Sequence, residues 1–165
     1  MGSVTITNPA ALLNGVNAGP RYKYSDNTAE TDPGSGYLQF DSTVLGSITE
    51  AYIDNNAYGG GDVSGWLDTF DTSAATLKGV FYISDLANPD TNFVIAEFRG
   101  TRTAETGYRK FTSLSVVAAQ GSFSNGDLLG LFYDPATDGA AGAVRCVVNL
   151  PYAERCVVAA KPRLD

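Results

Sequence analysis

Histidine is missing from all 165 residues. Its absence excludes Ser-His-Asp and Cys-His catalysis, histidine metal sites and a histidine pH switch in one step. Cysteine is scarce, with Cys146 and Cys156 the whole complement. Basic residues are few: 11 Lys and Arg stand against 18 Asp and Glu, a net charge of −7, and the basic residues form no long run. An acidic surface repels phosphate, which argues against nucleic-acid binding, and no basic patch points to a membrane surface. No apolar stretch approaches the ~20 residues of a bilayer-spanning helix, so membrane insertion is not expected. The opening MGSVTITNPAALLNG has no basic segment followed by an apolar core, so no secretory signal is expected and the predicted place of synthesis is the cytoplasm.

What is present is material for short strands. The length suits one domain with a true core. Eighteen Gly, nine Tyr and eight Phe fit many strands joined by turns. The organising stretch is residues 77–98, LKGVFYISDLANPDTNFVIAEF. Two runs rich in Val, Ile, Phe and Tyr, at 79–83 and Phe93–Phe98, flank turn-formers at Asn88, Pro89 and Asp90, which predicts a β-hairpin. Both runs carry apolar side chains at successive positions, so both faces of this hairpin are expected to be covered.

Around it, the turn Asp32-Pro33-Gly34-Ser35-Gly36 launches an alternating strand at 37–41, and 48–54 alternates again. Val63, Trp66, Leu67 and Phe70 fall on one stripe of a predicted short helix, with Asp62 as its N-cap and Trp66 as its anchor. Residues 108–117 and 128–133 are predicted strands of a second hairpin, turned at Asn125-Gly126. Together these predict an all-β fold, an antiparallel β-sandwich or jelly-roll-like domain with one short helix. The domain spans 32–134. An extended N-terminal arm with at most one short strand is expected over 1–31, and a Gly/Ala linker with a C-terminal β-hairpin over 135–165. In that hairpin Arg145-Cys146-Val147-Val148 recurs as Arg155-Cys156-Val157-Val158 around Pro151. One register places Cys146 opposite Cys156, close enough for a disulfide, whereas a reducing cytoplasm keeps such thiols free.

Chemistry-bearing patterns are weak. Asp54, Asn56, Gly59 and Asp62 hint at a calcium loop, but Tyr58 and Gly65 stand where a helix–loop–helix site needs an oxygen ligand and a Glu. Gly59-Gly60-Gly61 lacks the lysine and spacing of a phosphate loop and is read as a loop. Glu97 is the carboxylate inside a strongly apolar run, either desolvated or paired with a basic neighbour such as Arg99. No metal, no cofactor and no enzymatic activity are expected. The aromatics Tyr22, Tyr24, Tyr37, Tyr58 and Tyr108, at strand starts or in loops, are candidate surface contacts for a sugar or a protein partner; the competing reading places them over the edge of the core.

The ordered blocks DPGSGYLQF, AYIDNNAYGGGDVSGWLDTFDTS, LKGVFYIS, FVIAEFRG, TGYRKFTSLSV, GSFSNGD and DGAAGA resemble an all-β module of tail-fibre-like and collagen-like virion proteins of tailed bacteriophages. The likeness runs from Asp32 to about Gly142. It places Asp32, Pro33, Gly34 and Gly36 at an entry turn, Asp62, Trp66 and Leu67 on the helix, and Gly107-Tyr108-Arg109 and Asn125-Gly126-Asp127 at the last two strands. No catalytic residue comes with it. The resemblance implies a structural protein displayed on a virion, as a tail fibre or tail tip, a head fibre or a capsid decoration, made in the host cytoplasm. Its implied partners are sister subunits in a homotrimer, other capsid or tail proteins, and a host-surface glycan. The Gly-x-y run stops after two triplets, so no long collagenous fibre follows. A carbohydrate-binding β-sandwich module, a host-glycan adhesin, is the alternative function.

Overall fold

Period-two burial is clean in the strands Arg21–Ser25 and Phe93–Phe98. The computed structural model describes residues 19–136, with strands β1 (Arg21–Ser25), β2 (Tyr37–Phe40), β3 (Ala51–Asp54), β4 (Gly79–Asp85), β5 (Phe93–Phe98), β6 (Arg102–Ala104), β7 (Tyr108–Phe111), β8 (Leu114–Gln120) and β9 (Leu128–Pro135), and one helical turn, α1 (Ser64–Leu67). In β5, Val94, Ala96 and Phe98 point inward while Phe93, Ile95 and Glu97 face out. In β4 the inward set begins with Phe81 and Ile83.

The nine strands form one mixed sheet in the order β6-β7-β3-β2-β1-β9-β4-β5-β8. Strands β7 and β8 follow each other in the chain yet lie near opposite ends of that order. The sheet therefore curls until its two halves face each other, a sandwich-like arrangement made from one continuous ribbon. Backbone bonds from Leu114 N–H to the Thr49 carbonyl (2.9 Å) and from Arg99 N–H to the Ser113 carbonyl (3.2 Å) close the curl. Inside, Phe81 of β4 and Phe98 of β5 meet Phe111 of β7 edge-on, at 5.3 and 5.4 Å between centroids.

The all-β prediction and the β4–β5 hairpin hold. Other expectations need correction. Within the predicted arm over 1–31, Arg21–Ser25 is a strand paired on both sides, with β9 and with β2, and so belongs to the sheet. Its Tyr22 and Tyr24 are 0% and 1% exposed. The β1–β2 pairing is parallel, not antiparallel, since the intervening chain loops back before Tyr37. Gln39 pins that loop, its Nε2 donating to the Ala29 carbonyl at 2.7 Å.

The predicted strand over 108–117 is broken by Ser113, at φ 55°, into β7 and β8. The predicted hairpin between 108–117 and 128–133 does not form: β8 pairs with β5, and β9 with β1 and β4. Asn125-Gly126 still makes a turn, with Gly126 at φ 91°, but it docks on β1 through Gly126 N–H to the Tyr24 carbonyl (2.8 Å). The predicted helix is a single turn. Asp62 Oδ1 accepts from Ser64 N–H (2.7 Å), one residue before the N-cap position held by Val63. The stripe survives, with Leu67 and Phe70 buried and Val63 and Trp66 half-buried. On the outer face of β4 and β5, expected to be covered, Val80, Tyr82, Phe93 and Ile95 are half-buried. The C-terminal hairpin, with Cys146 and Cys156, lies outside the described residues, as do residues 1–18.

Phe81 touches the rings of Phe70, Phe98, Phe111 and Tyr133. Phe81→Ala should lower unfolding free energy by roughly 3–5 kcal/mol. Urea denaturation, followed by tyrosine signals, measures it; a loss under about 1 kcal/mol would show that the facing halves are not held together by this contact.

Candidate functional site

Three groupings of polar and aromatic side chains bear on the residues singled out by the sequence. The first is an ionic latch. Arg109 of β7, 9% exposed, reaches Asp68 with both arms of its guanidinium: Nε to Oδ1 at 2.6 Å and Nη2 to Oδ2 at 3.2 Å. Its Nη1 donates to Asn55 Oδ1 at 2.9 Å. Arg102 of β6 adds a 3.0 Å contact to Asp68 and a 3.3 Å contact to Asp71. Two arginines on one sheet edge thus hold the segment following α1. The Arg109 hydrogen bond keeps the Asp68 carboxyl below the usual aspartate range, and that bond in turn raises Arg109.

The second is Asp54, 3% exposed at the end of β3. Burial raises its pKa, opposed by backbone N–H groups of Asn56 (2.7 Å) and Gly36 (3.2 Å) on its Oδ1. These bonds set the loop weighed as a calcium site: Asp54 turns the chain at Asn56, Asp62 turns it at Ser64, and Asn56 bridges to Asp62. The carboxylates serve backbone amides. No cluster of three or more His, Cys, Asp or Glu side chains suited to a metal occurs among the described residues. Glu97 takes the bland alternative, bonded to Arg99 Nη2 at 2.7 Å on the outside of β5.

The third is aromatic. The structure separates the tyrosines that the sequence grouped as surface contacts. Tyr22 and Tyr24 are core residues with no surface to offer a partner; burial raises both hydroxyls above the usual tyrosine range. Tyr108 is 8% exposed, edge-on to Tyr52 at 6.3 Å. Tyr37 is half-buried. Tyr58 is 40% exposed, with Lys23 Nζ 4.6 Å from its ring centre.

Sequence reasoning overlooked Phe132. It projects from the outer face of β9 at 47% exposure, its ring 5.8 Å from that of Tyr82. Beside it Trp66 packs edge-on to Phe70 at 4.6 Å. Gly19, Pro20, Val63, Trp66, Phe132 and Tyr133 line a surface groove of about 320 Å³. The continuous apolar run of β9 was the available signal, since a strand apolar at successive positions must turn some of those side chains outward. The groove offers aromatic faces that suit a sugar ring or an apolar side chain.

No family model, curated protein or solved structure matches the chain.

Replacing Asp68 by Asn should cost roughly 1–2 kcal/mol, below the value for a fully buried pair because Asp68 is partly solvated. The ion pair's contribution is present above the ordinary aspartate range and disappears as pH falls through the lowered pKa of Asp68. Asp54, with its pKa raised, acts in the opposite sense, its charged form costing stability at neutral pH. Thermal melts of wild type and Asp68→Asn from pH 7 to pH 2 should therefore converge at the acid end; a constant gap would assign the loss to packing.

Proposed function

We propose that this chain is a structural component of a tailed-bacteriophage virion, displayed on the particle surface as a tail fibre or tail tip, a head fibre or a capsid decoration. It is made in the host cytoplasm and acts by attachment and assembly. It associates with copies of itself, three being the number that the resemblance implies, and with capsid or tail proteins. One observation carries the reading: the residues bearing the likeness to phage virion modules have scaffold roles. Asp32 lies so close to Gly107 that a Cβ there would stand 2.4 Å from its carboxylate. Gly36 donates to buried Asp54. Arg109 holds Asp68, just beyond Trp66 and Leu67, and the Asn125-Gly126 turn docks on β1. A module built to hold a shape under load is what a particle-surface protein requires.

A second reading, a carbohydrate-binding module, is favoured by one feature, the Trp66–Phe132 groove with its open aromatic faces. On a virion the two readings combine into an adhesin for a host-surface glycan.

Mass spectrometry of purified particles should recover the chain at fixed stoichiometry with the major capsid or tail protein. Recovery only from the soluble lysate sinks the virion reading. For the sugar reading, Trp66 fluorescence titrated with host polysaccharide should shift and saturate, and Trp66→Ala should abolish binding; an indifferent spectrum removes it.

A further inference from the structure

Strand β1 presents two cations that the fold does not use. Arg21 and Lys23 alternate with buried Tyr22 and Tyr24, so both leave the strand on its outer face, about 7 Å apart. Other basic side chains are committed. Arg99, Arg102, Arg109 and Lys110 each bind a carboxylate, and Lys78 Nζ donates to the Ser73 carbonyl at 2.6 Å. Among the described residues no carboxylate pairs with Arg21 or Lys23.

Backbone contacts fix what surrounds them. Strand β1 is hydrogen-bonded on both sides, to β2 and to β9. The Tyr58 N–H donates to the Arg21 carbonyl at 2.7 Å, and the Lys23 N–H to the Gly36 carbonyl at 2.8 Å. Tyr58 thus lies across Gly36 so closely that a Cβ at that glycine would stand 3.1 Å from the Tyr58 Cα. The Tyr58 ring, 40% exposed, holds Lys23 Nζ 4.6 Å from its centre. On the other flank, Gly130 of β9 pairs with Arg21, and a Cβ there would stand 2.9 Å from Leu86 Cδ2. The two cations are therefore flanked by an exposed tyrosine and an aliphatic wall, all set on the seam strand of the sheet.

We propose that this face binds the acidic unit of a glycan, a sugar ring that carries a carboxylate. The Arg21 fork meets a carboxylate through two parallel hydrogen bonds, Lys23 adds a point charge, and Tyr58 offers apolar surface to the C–H groups of the ring. Lys23 is already held by the Tyr58 ring, so little of its freedom is lost on binding. A dense polyanion is repelled by the rest of a surface carrying −7, which leaves a ligand whose charges are spaced one to a ring. The groove at Trp66 and Phe132 has no charged side chain in its lining and does not distinguish acidic from neutral sugars. The inference rests on the carbohydrate reading above and deepens it, naming the charge of the sugar and the residues that meet it.

Calorimetric titration of the full recombinant chain tests it, with trigalacturonate as the acidic probe, galactotriose as its neutral counterpart and a glutamate peptide of matched charge. Trigalacturonate should bind saturably, and galactotriose roughly 10-fold or more weakly. Arg21→Gln and Lys23→Gln should each weaken trigalacturonate binding roughly 10-fold with an unchanged circular dichroism spectrum, and either serves if the other fails to fold. Tyr58→Ala should act in the same direction. Arg99→Gln removes a cation already paired with Glu97 and should leave the affinity unchanged. Absence of saturable binding, equal affinity for galactotriose, or an equal loss in Arg99→Gln overturns the proposal. A glutamate peptide that binds as tightly as trigalacturonate also overturns it, assigning the face to acidic peptides. Sugar binding that depends on Trp66 and ignores charge would sink this inference alone and leave the carbohydrate reading standing.

Discussion

The contact between Phe81, Phe98 and Phe111 is the constraint on which this architecture depends. A nine-stranded ribbon buries no core while flat. It gains one by curling, and curling is favourable when large apolar groups on the two halves meet. Phe70 completes the cluster from outside the sheet, stacked on Tyr133 at 3.8 Å, while the Tyr133 hydroxyl donates to the Phe70 carbonyl. That single turn of helix is therefore less an independent element than a lid on the open side of the aromatic cluster. At four residues it is too short to persist alone.

The ionic latch follows from the same geometry. Once Phe70 is drawn into the cluster, Asp68 and Asp71 are carried to the edge formed by β6 and β7, where Arg102 and Arg109 stand. The arginine fork then fixes an orientation that apolar contact leaves loose. Packing supplies most of the driving force, and the ion pairs supply register. That division suits a protein whose proposed work is mechanical: charged pairs give direction to a joint, while buried rings resist its opening.

Much of this was legible in the sequence, for reasons that individual residues make plain. Strands β2, β3, β4, β5 and β9 announced themselves through alternation or through β-branched and aromatic runs bounded by turn-formers. The helix stripe was visible in Val63, Trp66, Leu67 and Phe70. Strand β1 was equally visible in principle, since Tyr22 and Tyr24 alternate with Arg21, Lys23 and Ser25; its charged outward residues made it look like an arm. What sequence could not convey was pairing. Asn125-Gly126 signals a turn but not which strands lie beside it in space: β8 before it pairs with β5, and β9 after it pairs with β4 and β1. Ser113 in the left-handed region gave no warning, because serine is not a residue that this conformation favours. At the candidate site, Glu97 with Arg99 was readable because they are two residues apart. Asp68 and Arg109, 41 apart, were not.

Strand β1 also has a temporal meaning. It is the seam of the ribbon, joined to β2 on one side and to β9 on the other. One flank is available as soon as Phe40 has been made, but the other waits for Leu128–Pro135. A growing polypeptide leaving the ribosome can assemble the β1-β2-β3 corner and the β4–β5 hairpin, and join them through β7 and β8, yet it cannot close the seam beside β1 until β9 emerges. Until then Tyr22 and Leu129 lack each other. The sheet is thus completed by a long-range closure step, the kind that sets slow folding rates and invites pairing between nascent neighbours on one messenger.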